Sequence, residues 1–390
     1  MRALAAVCIA VLMAGPAMAK DRISVPMAFL KQERPEPPTL SNLDPIPEDL
    51  ALAGAMLGLG DSAKTGKFLG FDYALDEVLV PEGEDVVAAA KAALAETRFL
   101  VVDADAPFLT AIADLPEAEG ALILNATAQD ASLRGDACRA NLFHTMPSYS
   151  MRADALSQFL VKKQWTRWAL IHGDKPGDLA FAEALKQSGK KFRLKLSGEK
   201  AWIFDADMRR NAAAEVPLFT QDLGEHHVLV IADEINDFAR YVIYNTWLPR
   251  PIAGSVGLQP RAWAPVVEQW GAAQLQKRFR RQFERDMRSE DFGAWAAVRA
   301  VSEAVTRTKS NDPAVLRAFM LSEDFELGGF KGRPLTFRPW NGQLRQPIPL
   351  VHADALAAQA PIEGFLHQHN EMDTLGVDQP NSTCTTFASQ

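Results

Sequence analysis

Four short apolar runs set the terms on which this chain can fold. Arg98-Phe-Leu-Val-Val102, Gly120-Ala-Leu-Ile-Leu-Asn125, Trp168-Ala-Leu-Ile-His172 and Val228-Leu-Val-Ile-Ala232 each give way at once to polar residues and then to helical character. A strand that is apolar at consecutive positions is buried on both faces, the condition of a parallel sheet covered by helices. The rhythm spreads outward: a strand over 71–80 and helices over 85–96, 107–115, 151–163 and 178–188. Strands alternating with helices in this way predict βαβ units and an α/β fold. At 390 residues the chain is too long for one small domain and suits two bodies. The last third differs. Residues 263–288 read as a long charged helix and 289–306 as another, followed by strand-like Leu335–Arg338 and by Asn341-Gly342, a dipeptide that favours a tight hairpin turn. Residues 31–47 hold five prolines and read as an extended loop, giving way at Glu48 to a helix rich in small residues.

The first residues read as an address. A positive Met1-Arg2, an apolar run over Leu4–Gly15 and Ala17-Met18-Ala19 before Lys20-Asp21-Arg22 make a secretory signal peptide over 1–19, cleaved after Ala19. The run is too short to span a bilayer. Export to the periplasm follows. Cleavage removes Arg2 and takes the net charge from -8 to -9, the wrong sign for a nucleic-acid binder. It also removes Cys8 and leaves Cys138 and Cys384. In an oxidising compartment an even count favours a disulfide between them over two free thiols.

Signatures of catalysis are missing. There is no Gly-x-Gly-x-x-Gly, no phosphate-binding loop of the Walker type and no Gly-x-Ser-x-Gly. His226-His227 and His367-Gln-His369 supply two imidazoles each, which do not make a metal site. No catalytic residue, metal or cofactor is assigned, and the chain reads as a non-enzyme.

The polar residues behind the apolar runs are more telling. Asp103 and Asp105 follow the first, Asn125, Thr127 and Gln129 the second, Asp174 and Asp178 the third, and Asp233 with Glu234 the fourth. Open parallel sheets bind ligands beyond the carboxyl ends of their strands. A single Asp or Thr in such a place ordinarily caps a turn or a helix; four such loops outline a cleft. Two cation–aromatic pairs, Arg261 with Trp263 and Arg338 with Trp340, offer guanidinium groups for carboxylates and flat faces for a planar ligand. The acids point to an amine or a cation and the pairs to a planar anion, and the anion is preferred.

The order of elements resembles the type I periplasmic solute-binding proteins of the leucine/isoleucine/valine kind. The likeness rests on Leu124–Asp130 at the first binding loop, on Asn141-Leu-Phe-His-Thr-Met-Pro-Ser148 and on Asp291-Phe-Gly-Ala-Trp295. Phe330-Lys-Gly332 and Phe337–Gln343 extend it. Longer stretches resemble the subgroup associated with alcohol dehydrogenases dependent on pyrroloquinoline quinone (PQQ): Arg209-Arg210, Glu215–Gln221, Trp247-Leu-Pro-Arg-Pro251, Glu268–Gln276 and Gln343–Pro347. The resemblance implies two α/β lobes joined by three crossovers, near Pro147, Gly254-Ser255 and Arg338–Trp340. Lobe 1 would take 20–146 plus 256–338, lobe 2 147–255 plus 339–365, and 366–390 would form a C-terminal tail. It further implies a monomeric receptor that delivers a small polar ligand to an ABC permease: PQQ itself, an alcohol-derived acid or an amino-acid-like compound. A periplasmic sensor or accessory docking on a dehydrogenase or sensor kinase is the alternative. Asn125-Ala-Thr-Ala-Gln129 stands where amino-acid receptors read Ser-Pro-Ala-Ala-Thr, and Gly177-Asp178-Leu179 replaces their Tyr-Gly. Their contacts to an α-amino acid therefore do not carry over.

Overall fold

The computed structural model describes residues 22–35, 45–202 and 211–387. The leader with its cleavage point after Ala19, Cys8, and the Arg209-Arg210 pair lie outside the described residues. The doubly apolar runs become inner strands of two parallel sheets. In the first, β1 (Ile23–Gln32), β2 (Phe71–Val80), β3 (Phe99–Asp103), β4 (Leu122–Asn125) and β5 (Leu142–His144) run in the order β2-β1-β3-β4-β5, every pair parallel. Every residue of β3 and β4 is buried. Helix α1 (Leu52–Leu69) packs on one face, α2 (Val86–Glu96) and α3 (Ala106–Ala113) on the other.

The second body follows helix α4 (Tyr149–Lys162). Its sheet joins β6 (Arg167–His172), β7 (Lys195–Ala201), β8 (Val228–Ala232) and β9 (Ile252–Gly254) in the order β7-β6-β8-β9, again all parallel. One face packs on α4 and α5 (Pro176–Lys191). On the other lie α6 (Ala212–Thr220), α7 (Ala239–Val242) and Trp202, stacked on Phe238 at 4.8 Å between ring centroids.

Strand β1 has no counterpart in the sequence reading. It carries Pro26, which cannot donate to a ladder, in the middle of a sheet where proline is rare. The Pro26 carbonyl instead receives the Thr97 hydroxyl at 2.5 Å.

Past β10 (Gln259–Pro260) the chain returns to the first body as α8 (Ala272–Phe283), α9 (Ser289–Thr308) and α10 (Pro313–Met320). The single helix expected over 263–288 is corrected to α8 alone. Trp270 and Gly271 adopt left-handed backbone at φ 56° and 83°, and Glu284 does so at 57°, so both ends are cut. Helix α9 lies against α1 so closely that a Cβ on Gly54 would stand 1.8 Å from the Asp291 carbonyl oxygen. Strands β11 (Leu327–Gly328), β12 (Pro334–Phe337) and β13 (Leu344–Arg345) complete this region. Asn341-Gly342 lies in the β12–β13 connection, but the loop spans 338–343 and is wider than a two-residue turn.

Three passages join the bodies. The first is Thr145–Ser148, between β5 and α4. The second lies beyond β10 rather than at Gly254-Ser255, because Gln259–Pro260 pairs with β14 (Ile348–His352), itself paired with β15 (Ala355–Ala360) and partly buried in the second core. The third is Gln346-Pro347 rather than Arg338–Trp340. Phe337 pairs with Leu344, and both sit in the first core, so 339–345 stays with the first body. The segment expected as a C-terminal tail runs as a strap across both bodies. Leu375 packs in the second core, while Cys384 and Phe387 pack in the first. Cys138 and Cys384 form a disulfide with Cα atoms 5.7 Å apart.

The α1–α9 contact gives a paired test. Gly54→Ala should cost about 3 kcal/mol or more, since backbone must move to admit the methyl group. Gly60→Ala, on the same helix with open space around its Cβ position, should be neutral or stabilising by up to about 1 kcal/mol. Urea unfolding of both variants checks this; equal effects would show that the close approach does not matter.

Candidate functional site between the two bodies

At the strand ends of the first body the expected polar residues do meet, but on one another. Asp103, buried at the end of β3, accepts the Thr127 hydroxyl at 2.7 Å and the Arg34 guanidinium at 3.1 Å. The exposed Asp105 takes the same Arg34 at 2.8 Å. Asn125 is fully buried; its carbonyl oxygen accepts the amides of Thr127 and Ala128, and its amide donates to the Ala128 carbonyl. It therefore shapes the turn that presents Thr127 and Gln129.

The second body contributes Asp178, Asp233 and Glu234. Asp233 accepts the backbone amides of Asp237, Phe238 and Ala239, each at 2.8 Å, and so fixes the turn into α7. Asp178 lies at the start of α5 and accepts the amides of Glu234 at 2.6 Å and Lys175 at 3.3 Å. Burial pushes its carboxyl up to about 6. Among the described residues Asp174 stands apart, exposed and paired only with its neighbour Lys175.

Arg152, on the first turns of α4, organises the centre. Its guanidinium forms two bonds to Glu234, one to Gln129 at 2.7 Å and one to the Pro260 carbonyl at 3.0 Å. The Phe181 ring lies 4.5 Å from its carbon. Ser255 donates to the same Glu234 at 2.8 Å. Gln129 belongs to the first body and Glu234 to the second, so Arg152 bridges the junction. Arg34 and Arg152 escaped the sequence reading because nothing near them in the chain announces their partners. Gly177 is a weaker local signal: a Cβ there would stand 3.0 Å from the Tyr149 hydroxyl.

The two cation–aromatic pairs part company. Arg338 is buried and held by Asp373 at 2.9 Å and by the carbonyls of Met372 and Leu375. With Arg345, also on Asp373, it flanks the Trp340 ring and clamps the strap. That pair is structural and does not face the cleft loops. Arg261 and Trp263 instead border a cavity of about 590 Å³, with Arg285, Arg288, Val266 and Met287 among its walls. The Trp263 ring is stacked on Phe292 at 5.0 Å and its N–H donates to Gln276. Glu290 lies within electrostatic reach of Arg152, Arg261 and Arg288, and burial pushes its carboxyl up. Among the described residues no group of three or more His, Cys, Asp or Glu side chains is placed to hold a metal ion.

Residues 51–206 match the family model for periplasmic binding proteins. No curated protein sequence matches the chain. A branched-chain amino acid ABC transporter periplasmic ligand-binding protein of Burkholderia xenovorans superposes with a TM-score of 0.71 at 14% identity, covering 93% of this chain and 100% of its own. The leucine-, isoleucine-, valine-, threonine- and alanine-binding protein of Brucella ovis in its closed conformation gives 0.65 at 13%, covering 89% and 92%. An ABC transporter substrate-binding protein of Desulfitobacterium hafniense in complex with Leu gives 0.61 at 15%, covering 86% and 99%. The fold is the two-lobed α/β fold of type I periplasmic binding proteins.

Asp178 makes the site sensitive to pH. An unfolded aspartate titrates near about 3.9, well below the folded value of about 6. The folded chain therefore holds this proton more tightly. Its contribution to stability is full at about pH 4 and is lost as pH rises through about 6, a change of roughly 2–3 kcal/mol. Asp178→Asn should thus gain on the wild type by about 2 kcal/mol between pH 4.5 and 7.5 in urea unfolding. An offset between the two proteins that does not change with pH would refute it.

Proposed function

We propose that this protein is the periplasmic solute-binding component of an ABC importer linked to PQQ-dependent alcohol oxidation. As a monomer it captures a small polar ligand between its bodies and presents it to an inner-membrane permease. PQQ, an alcohol-derived acid and an amino-acid-like compound are the candidate ligands. The observation that carries the reading is the bridge at the junction: Arg152 on the second body bonds Gln129 on the first and Glu234 on its own, so that two strand-end loops meet at one guanidinium. Bodies joined by narrow passages rock about them, and a ligand held from both sides converts that motion into affinity. Transporter proteins of the same fold, one named for a branched-chain amino acid transporter and one solved in complex with Leu, support a receptor role. The subgroup likeness over 200–350 supports the link to alcohol oxidation.

Two measurements test this. Purified protein screened by thermal shift against PQQ, organic acids and amino acids should be stabilised by one of them, by about 2.7 kcal/mol at a hundredfold excess over its dissociation constant. Crosslinking in intact cells should capture a permease of the ABC type. Capture of a dehydrogenase or sensor kinase with no permease would overturn transport.

A further inference from the structure

We propose that the open edge of the first sheet, strand β2, is a docking site for an extended, lysine- or arginine-rich segment of another protein, which adds to the sheet as a further strand. This surface is independent of the ligand reading above.

Each parallel sheet ends in two outer strands, and three of the four are poor templates for another. Strands β5 and β9 are three residues long. Strand β7 carries Lys195, Gly198 and Lys200, and its register shifts against β6, devices that blunt an edge. Strand β2 has none of these. It runs for ten residues without proline, glycine or lysine and pairs with β1 without a register shift.

The ladder also fixes where the backbone groups of β2 point. At its two ends the Ile23 amide donates to the Gly70 carbonyl and the Glu33 amide to the Val80 carbonyl, each at 2.9 Å. Alternate residues of a strand serve one neighbour, so the even-numbered residues of β2 bond β1. The amides and carbonyls of Tyr73, Leu75, Glu77 and Leu79 face the other way. Among the described residues those backbone groups have no partner.

The side chains along the edge select the occupant. Asp76 and Glu77 are adjacent and therefore project to opposite faces, and both are exposed. From Phe68 to Ala90 the chain has six acids and no lysine or arginine. Asp72 is met by Arg22 at 2.7 Å, and Asp85 caps α2 by accepting the Val87 and Ala88 amides. Asp76, Glu77, Glu82 and Glu84 are exposed and, among the described residues, without an ion pair. A second copy of this strand would lay the same acids beside these, so self-pairing is opposed. A basic strand meets opposite charge on both faces. Main-chain bonds then supply the affinity of the added strand, and these side chains its selectivity.

Fluorescence anisotropy on the purified protein tests this with a labelled ten-residue peptide of valine, threonine and lysine. One control peptide carries glutamate for lysine; the other is N-methylated throughout, which keeps the charge and removes the main-chain donors. The lysine peptide should bind and the glutamate peptide should not. The N-methylated peptide should bind more weakly by about tenfold or more. Asp76→Lys combined with Glu77→Lys should weaken the lysine peptide by about tenfold or more. Glu77→Pro removes one outward amide where an edge strand tolerates proline, and should weaken it as well. If Glu77→Pro fails to fold, the charge-reversed pair, at two exposed positions, keeps the test open. The peptide should also slow hydrogen exchange at the amides of Tyr73, Leu75, Glu77 and Leu79. Equal binding of the N-methylated peptide, slowing confined to other amides, no binding of the lysine peptide, or self-association that Glu77→Pro abolishes would overturn the proposal.

Discussion

A carboxylate withdrawn from water has to find its counter-charge or its donors inside the protein. The ends of β3, β6 and β8 carry Asp103, Asp178, Asp233 and Glu234 at buried or half-buried positions, and the surrounding architecture answers each of them. Backbone amides converge on Asp233 and Asp178 where helices begin, so local folding supplies their partners. Asp103 and Glu234 are answered by Arg34 and Arg152, which arrive from other segments of the chain. The two kinds of answer have different consequences. Amide-bound acids stabilise turns and stay put when the bodies move. Arginine-bound acids tie one segment to another, and the Arg152 set ties one body to the other through Gln129.

This division also explains how much could be read from the chain. The β3, β4, β6 and β8 strands are apolar in the pattern of strands buried on both faces, and they lie close to where that pattern put them. The strand-end loops follow from the same pattern. Strand β1 was illegible because Pro26 and a polar end disguise it, although it lies inside the first sheet between β2 and β3. The region 263–288 carries the charge pattern of one long helix, and only the left-handed backbone at Trp270 and Gly271 shows where it breaks. Polar partnerships were the least legible. Thr127 and Gln129 face the junction as two good hydrogen-bonding groups, yet one is spent on Asp103 and the other on Arg152. Arg338 and Trp340 look like a binding pair in sequence, and only the fold shows Asp373 reaching them from the strap.

The first and third passages share one polar lattice. Gln346, at the third passage, donates to the Thr145 carbonyl of the first at 2.7 Å and accepts from Lys331 at 2.5 Å. Lys331 is buried, with the Pro347 carbonyl and the Phe292 ring as its other neighbours, and burial holds its amine well below the usual range. Gln359, from the second body's β15, donates to the Lys331 carbonyl. Relative motion of the bodies therefore works against a connected set of bonds rather than against isolated linkers.

The Cys138–Cys384 bond turns most of the chain into a closed covalent ring. Everything from α4 to β9, the whole second sheet with its helices, lies on that ring, while β1 to β4 lie on the free N-terminal arm. A pull applied between the two chain ends would run along the arm, cross the sulfur bridge and leave through the last few residues. The second body would carry none of that load. Mechanically, the body whose loops hold Arg152 and Glu234 is shunted out of the line of force, and the first sheet alone resists extension.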